Sequence, residues 1–121
     1  ENGEVADFVK LDARQGDAII IPPNYGHVTV NTGNEPLVMA NLVSDRFSSI
    51  YDGYEKMGGA AYYLLIDGRL VANPRYGRLP KPRITRPNFM VSKDLYDDFL
   101  SCPSCFAYLN QPLRLGGLGK L

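Results

Sequence analysis

The sequence predicts a mainly β protein, a small barrel or sandwich, with one short helix near the C-terminus. Between residues 4 and 43, four apolar segments alternate with short turns, and segments of that length suit strands rather than helices. Apolar residues make up 45% of the 121-residue chain and charged residues 21%. That is the composition of a globular protein with a packed core, and the length fits one domain.

The four predicted strands are separated by residues that favour turns. Gly16 lies in the turn before the second strand, and Pro22 ends that strand because proline cannot donate to a β ladder. The third strand alternates strictly, so His27, Thr29 and Asn31 share one face. Asn31 stands at the strand end, where its side chain is expected to satisfy turn amides. The strands are predicted over Glu4–Leu11, Ala18–Ile21, His27–Asn31 and Leu37–Val43.

A polar loop and a hairpin are predicted in the middle of the chain. Residues 44–59 are polar and contain glycines, which predicts a loop with one helical turn. Two apolar strands follow, at Tyr62–Ile66 and Arg69–Ala72. Asp67-Gly68 stands between them and is the signal for a type I′ turn, so the two strands are predicted to pair.

The last part of the chain is predicted as an extended basic arm and a helix. From Asn73 to Pro87 five basic residues alternate with prolines, and proline disfavours helix in the residue before it. We expect this arm to wrap a surface and to tie to a partner subunit through its arginines. Ser92 is the expected N-cap of a helix from Lys93 to about Leu100.

Charge and hydropathy exclude two classes of partner. Thirteen basic and thirteen acidic side chains cancel, so the chain as a whole has no electrostatic preference for nucleic acid. The basic arm offers only Tyr76 for stacking on bases. No apolar run reaches the roughly 20 residues that a membrane span needs, and the N-terminus lacks the pattern of a signal peptide. We therefore expect a cytoplasmic protein that binds neither nucleic acid nor membrane.

Cys102 and Cys105 form a Cys-x-x-Cys pair whose use the residues leave open. A zinc site needs two further ligands, and the chain has no second cysteine pair, so two copies would have to share the metal. A redox disulfide is a second interpretation. Reduced thiols or an incidental disulfide are the commonest outcome for a lone pair in a cytosolic protein.

The single histidine lies in a string with a characteristic spacing. Gly16, Pro22, His27 and Asn31 are separated by five, four and three residues, which resembles the second signature of the cupin superfamily. Asn24 stands where that signature has glycine, and asparagine also tolerates positive φ. IIIPPNYGHVTVNTGNEP, the tyrosine in IYDGY and the closing VANPRY look like the archaeal cupin-type glucose-6-phosphate isomerases. The resemblance covers about three-fifths of the chain and implies a partial cupin-type β-barrel or jelly roll.

The resemblance also implies an enzyme, an aldose–ketose isomerase of glycolysis and gluconeogenesis that acts on glucose 6-phosphate around a divalent metal. Iron is the expected metal, with manganese, nickel or zinc as alternatives, and His27 matches one of the family's ligands. The other ligands, two histidines and a glutamate, have no counterpart here. Sites that retain such ions usually offer three or more ligands, so the chain alone is expected to be inactive.

Two further positions are expected to contact the sugar-phosphate substrate. Tyr51 matches a family tyrosine near the phosphate, and a phenol can donate to a phosphate oxygen. Packing of the loop onto the barrel is an equal alternative for this side chain. Thr29 shares the face of His27 and is expected to line the cavity. Ser49 stands where the family has a histidine, so that contact has no match.

The chain is predicted to have two parts, a C-terminal portion of a cupin barrel over residues 1–76 and an arm with a short helix over residues 77–121. A barrel without its first strands has unpaired backbone edges. We therefore expect it to pair with a second copy, as a homodimer, or with a missing N-terminal portion. Two other functions stay open, a non-catalytic cupin that binds a small ligand or a partner, and another cupin enzyme such as a dioxygenase or epimerase. The residues do not distinguish proton transfer from hydride shift.

Overall fold

The structure, a computed structural model, describes residues 4–87 and 94–111. In this part of the chain the strands form two small sheets of two strands each, β1 with β4 and β2 with β3. Most of the described backbone is neither helix nor strand. The predicted short C-terminal helix is therefore confirmed and the described chain is mostly non-helical, whereas the mainly β cupin-type barrel remains a prediction. The elements are β1 (Val9–Leu11), α1 (Asp52–Met57), β2 (Tyr62–Leu64), β3 (Leu70–Ala72), β4 (Arg83–Thr85), α2 (Leu95–Ser101) and a 3-10 helix (Pro103–Leu109).

The backbone divides into two compact units, each discontinuous in sequence. The unit boundaries fall within β1 and β4, so both strands contribute residues to both units. The predicted division after residue 76 follows composition instead, and it stays a prediction. The first unit comprises Glu1–Val9, His27–Met39 and Ser48–Arg83, and the second comprises Lys10–Gly26, Ala40–Phe47 and Ile84–Leu121.

The hairpin of the first unit has the predicted strands but a different turn. Its register pairs Tyr62 with Ala72, Tyr63 with Val71, and Leu64 with Leu70. The Leu65 N–H donates to the Arg69 carbonyl over 2.8 Å, and the Gly68 N–H donates to the Leu65 carbonyl over 2.9 Å. Within the loop only Gly68 has positive φ, 84°, whereas a type I′ turn needs positive φ at both central residues. The predicted type I′ turn is therefore wrong, and a three-residue loop ending in a left-handed glycine joins the strands.

Three of the four predicted N-terminal strands are wrong for the described structure. The segments at 18–21, 27–31 and 37–43 form no strand there, and β1 keeps only the last three residues of the first predicted strand. Val28 and Val30 are 59% and 55% exposed, and Val38 is 90% exposed. Alternation specifies which side chains share a face, but a strand also needs a neighbour for its backbone hydrogen bonds. These segments have the residue pattern of strands, but among the described residues they pair only through the isolated β-bridge at Ala18.

The turns that separate these segments are formed. Gly16 has a φ of 87°. At the following turn, the Tyr25 N–H donates to the Pro22 carbonyl over 3.3 Å. Asn24 has a φ of 67° there, the left-handed conformation that a type II turn needs at its third residue and that asparagine tolerates. Asparagine in place of the signature's glycine is thus compatible with the turn.

The basic arm contributes the short strand β4, and its expected contact with a partner subunit stays a prediction. In the first unit the Arg83 N–H donates to the Phe8 carbonyl over 2.9 Å. The Arg83 guanidinium makes two hydrogen bonds to the Asp7 carboxylate, at 3.0 and 2.5 Å. In the second unit the Asp12 N–H donates to the Thr85 carbonyl. At least one arginine of the arm therefore meets an acidic residue of its own chain.

The C-terminal helix begins later than predicted. Asp94 caps α2, because its Oδ1 accepts the Asp97 N–H over 2.8 Å, whereas the predicted cap Ser92 lies outside the described residues. After α2, Phe106 is buried and its ring lies 5.7 Å from that of Phe99, edge to face. None of the helices in the described ranges is long and apolar enough to cross a membrane.

Candidate functional site

Tyr51 lies at the N-terminal end of α1 and is held there by backbone contacts. The Glu55 N–H donates to the Tyr51 carbonyl over 3.0 Å, which begins the helix. Asp52 and Glu55 occupy the first turn, where carboxylates interact favourably with the positive end of the helix dipole. The Tyr51 side chain is 63% exposed. Its phenol is therefore accessible to solvent.

One face of α1 lines an open cleft of about 330 Å³. The lining from α1 comes from Gly53, Tyr54 and Met57, and Ile50 joins it from just before the helix. Tyr76, which follows the hairpin, completes the lining. At Gly53 no atom lies within 4 Å of the place that a Cβ would occupy, so the missing side chain leaves the cleft open.

The two phenols of the cleft are held in their neutral form. Burial raises the pKa of Tyr54 above its ordinary value of 10.0, and the nearby Tyr76 raises it further. Burial also raises the pKa of Tyr76, with a smaller contribution from Tyr63. At neutral pH both groups are therefore hydrogen-bond donors and not bases. The Tyr76 hydroxyl donates a hydrogen bond to the Gly59 carbonyl over 3.0 Å.

Asn73 joins the C-terminal end of α1 to the exit of the hairpin. It is 1% exposed, the most deeply buried polar residue of the described chain. Its Nδ2 donates to the carbonyls of Met57 and Ala60, at 2.9 and 3.0 Å. Its Oδ1 accepts the Arg75 N–H over 3.0 Å, and its own N–H donates to the Ala61 carbonyl over 2.8 Å. Every hydrogen-bonding group of the side chain has a backbone partner.

A second layer of contacts closes the same end of α1. The Tyr63 hydroxyl donates to the Gly58 carbonyl over 3.2 Å. Gly58 has a φ of 65°, and a Cβ on it would come within 2.9 Å of the Arg75 Nη1. The left-handed backbone therefore favours glycine at this helix end, whereas the Arg75 guanidinium is the mobile end of a side chain and could shift.

His27 and Thr29 belong to the first unit, as Tyr51 does, but both lie outside these contacts. Both are exposed. In the ranges that the structure describes, no group of three or more His, Cys, Asp or Glu could hold a metal ion. The described residues therefore do not fit a complete divalent-metal site by themselves. The structure brings Tyr51 to the end of the cleft-bearing helix and leaves His27 and Thr29 elsewhere in the unit.

The predicted turn residues make local contacts. The Asn31 Oδ1 accepts the Gly33 N–H over 3.0 Å, and its Nδ2 donates to the Glu35 carbonyl over 2.8 Å. Pro22 is buried, and Gly16 occupies the left-handed position described above. These contacts give all three residues a local structural role.

The two cysteines form a disulfide, Cys102–Cys105. Of the alternatives left open by the residues, the structure therefore has the bonded pair, in which neither sulfur is a thiolate ligand. Cys102 caps α2 and Pro103 begins the 3-10 helix. The disulfide thus spans the junction of the two helices.

Sequence reasoning missed the cleft and the buried asparagine. The helical turn predicted within residues 44–59 is present as α1, but the prediction gave it no role in lining a cleft. Asn73 directly follows a strand and precedes proline, and the residue before a proline is restricted to extended backbone. That restriction preorganises its side chain, but only the fold shows which carbonyls it meets.

Comparisons with known proteins supply the family. A family model described as Glucose-6-phosphate isomerase (GPI) matches residues 1–81. The match includes Tyr51, the whole of α1, the hairpin and Asn73. No curated protein and no solved structure matches the chain. Because the family model covers more than half of the sequence, the chain belongs to the glucose-6-phosphate isomerase family.

Proposed function

We propose that the chain forms part of a metal-dependent aldose–ketose isomerase that interconverts glucose 6-phosphate and fructose 6-phosphate. The family match over residues 1–81 carries this proposal. An isomerase of glycolysis follows from the family, whereas the archaeal cupin type, the gluconeogenic direction, the metal and the residue roles are our proposal. The expected location is the cytoplasm.

The cleft beside α1 and the exposed phenol of Tyr51, the N-cap of that helix, are proposed to bind the sugar phosphate. Tyr51 donates to a phosphate oxygen, and the adjoining face of α1 accepts the carbon chain against Tyr54 and Tyr76. Gly53 keeps this surface open. Thr29 is proposed to contact substrate from the segment that carries His27.

His27 is proposed as one ligand of a divalent metal, with iron first and manganese, nickel or zinc as alternatives. The remaining ligands would come from outside the described residues. Bound there, the ion would polarise the oxygens of the sugar. On this proposal the chain by itself turns over no substrate.

Residues 27–43 are proposed to pair with another polypeptide segment, from a second copy or from an N-terminal portion. Their exposed valines, in a segment that forms no strand in the described structure, support this, because soluble proteins usually cover such edges. Sedimentation at high dilution tests the first alternative. A stable monomer that keeps these valines exposed would contradict the pairing.

Tyr51→Phe in the full-length gene product tests the substrate site. We expect KM for fructose 6-phosphate to rise about tenfold, as for the loss of a hydrogen bond to a charged group. Tyr96→Phe is the matched control, because Tyr96 is 66% exposed against 63% for Tyr51 and belongs to the second unit. Equal effects of the two changes would argue against Tyr51 as a phosphate ligand.

Metal analysis tests the role of His27. We expect the full-length gene product to retain a divalent metal and to isomerise glucose 6-phosphate. His27→Ala should lose both, and added iron or manganese should not restore it. An unchanged metal content in the variant would contradict the ligand role. Sugar-phosphate binding without turnover in the wild type would favour a non-catalytic cupin instead.

A further inference from the structure

We propose that Asn73 is a positioning residue for the sugar-phosphate site, acting through α1 and Tyr51. That the site binds a sugar phosphate rests on the proposed function. That Asn73 holds the end of α1 rests on hydrogen bonds within the first unit. The Asn73 amide holds one end of α1, and Tyr51 and the cleft are carried by the rest of that helix.

The first step is that α1 cannot hold its own direction. It has six residues, and helices of fewer than about 12 residues are marginal in water. Tertiary contacts must therefore fix its axis. One hydrogen bond from the Asn73 side chain goes to the carbonyl of Met57 at the end of α1, and the other goes to the carbonyl of Ala60, three residues further along the chain.

The second step is that the Met57 carbonyl needs a hydrogen-bond donor from outside α1. The last four carbonyls of a helix have no partner within it, and Met57 is the last residue of α1. Asn73 is nearly inaccessible to water at 1% exposure, so water cannot readily replace its amide. The bond also has a fixed direction, which a packed methyl group does not.

The third step is that a small tilt of α1 about its C-terminal end displaces Tyr51 at its N-terminal end. A six-residue helix is about 9 Å long, so a tilt of roughly 10° about the held end displaces the far end by about 1.5 Å. Tyr51 stands at that far end. Misplacement of a binding group by about 1 Å can cost a hundredfold in rate. Loss of the Asn73 hydrogen bonds should therefore lower kcat/KM, although Asn73 does not contact the substrate.

Asn73→Ser in the full-length gene product tests the proposal, assayed at a temperature where circular dichroism shows the variant to be folded. We expect kcat/KM to fall about tenfold to a hundredfold. Asn110→Ser is the matched control, because Asn110 also bonds through its side chain, to the Ser44 hydroxyl at 2.5 Å, in the second unit. A kcat/KM equal to that of the control would overturn the proposal.

A double-mutant cycle with Tyr51→Phe separates positioning from stability. If Asn73 acts through Tyr51, removing the phenol should cost much less in the Asn73→Ser background, so the two losses should not add. Additive losses would mean that Asn73 acts only through folding stability or through another group, and would overturn the proposal.

Amide hydrogen exchange keeps this inference distinct from the proposed function. If the wild type neither binds nor converts fructose 6-phosphate, the proposed function fails. The geometric part is then judged by the Gly59 N–H, which donates to the Tyr54 carbonyl over 2.8 Å. Asn73→Ser should speed its exchange about tenfold or more, while the hairpin N–H of Leu65 keeps its protection. Unchanged exchange at Gly59 would overturn the positioning role.

Discussion

Each unit contains a buried side chain, and the two side chains make different kinds of contact. In the first, a buried asparagine bonds to backbone groups around the end of α1. In the second, the ring of Phe106 packs between those of Phe99 and Tyr108, at 5.7 and 6.2 Å, beside a disulfide. The polar centre is directional and fixes positions, whereas the apolar centre is non-directional and tolerates repacking. A positioned ligand site is accordingly better served by the first.

Replacement of each centre by leucine is the strongest test of this comparison. Asn73→Leu leaves the groups of Met57, Ala60 and Arg75 without their partner, and each buried group left unsatisfied costs about 1–3 kcal/mol. We expect a loss of about 3 kcal/mol in the free energy of unfolding. Phe106→Leu should cost below about 1.5 kcal/mol, because hydrophobic swaps are tolerated. Urea unfolding measures both, and equal costs would break the comparison.

Removal of the disulfide sharpens the account of the second unit. The bond closes a short loop, with a sequence separation of three, and loop-closure entropy for such a loop corresponds to about 2 kcal/mol. Cys102→Ser together with Cys105→Ser should therefore lower the free energy of unfolding by about that amount. Reduced wild type should match the double variant. A further loss when reductant is added to the variant would show that another cause is at work.

Two glycines of the first unit give a smaller, matched pair. Gly68 has a φ of 84°, and Gly53 has no positive φ, while a Cβ at either would meet nothing within 4 Å. Gly68→Ala should cost roughly 1–2 kcal/mol, because only the left-handed backbone penalises it. Gly53→Ala should be neutral or stabilising by up to about 1 kcal/mol, yet it narrows the cleft. Thermal unfolding measures both, and equal destabilisation would contradict the assigned turn.

Alkaline pH gives the smallest effect. The folded state raises the pKa of Tyr54 and Tyr76, so it holds these protons more tightly than the unfolded chain. Their contribution to stability is fully present below the ordinary value of 10.0 and is lost as pH rises through the folded pKa. We expect Tyr54→Phe with Tyr76→Phe to flatten this fall in denaturation measured against pH. An unchanged slope in the double variant would contradict it.

The part of the fold that the sequence predicts correctly is governed by local chemistry. The hairpin strands follow from their composition, and the turn at Asn24 follows from the residues that tolerate positive φ. The turn of the hairpin was missed because Asp67-Gly68 suits two loop lengths, and the choice depends on how the strands twist. The strand segments between residues 18 and 43 have the right alternation but need a neighbouring strand that no local pattern supplies.

For the candidate site the division is similar. The sequence by itself determined the family resemblance, the helical turn within residues 44–59 and the hairpin strands, because these depend on residue types and short-range backbone preferences. Only the tertiary structure decided that α1 carries a cleft, that Asn73 meets the end of that helix and that Arg83 pairs with Asp7. Those contacts join residues from 13 to 76 positions apart. Local sequence patterns do not specify which distant groups come within hydrogen-bonding distance.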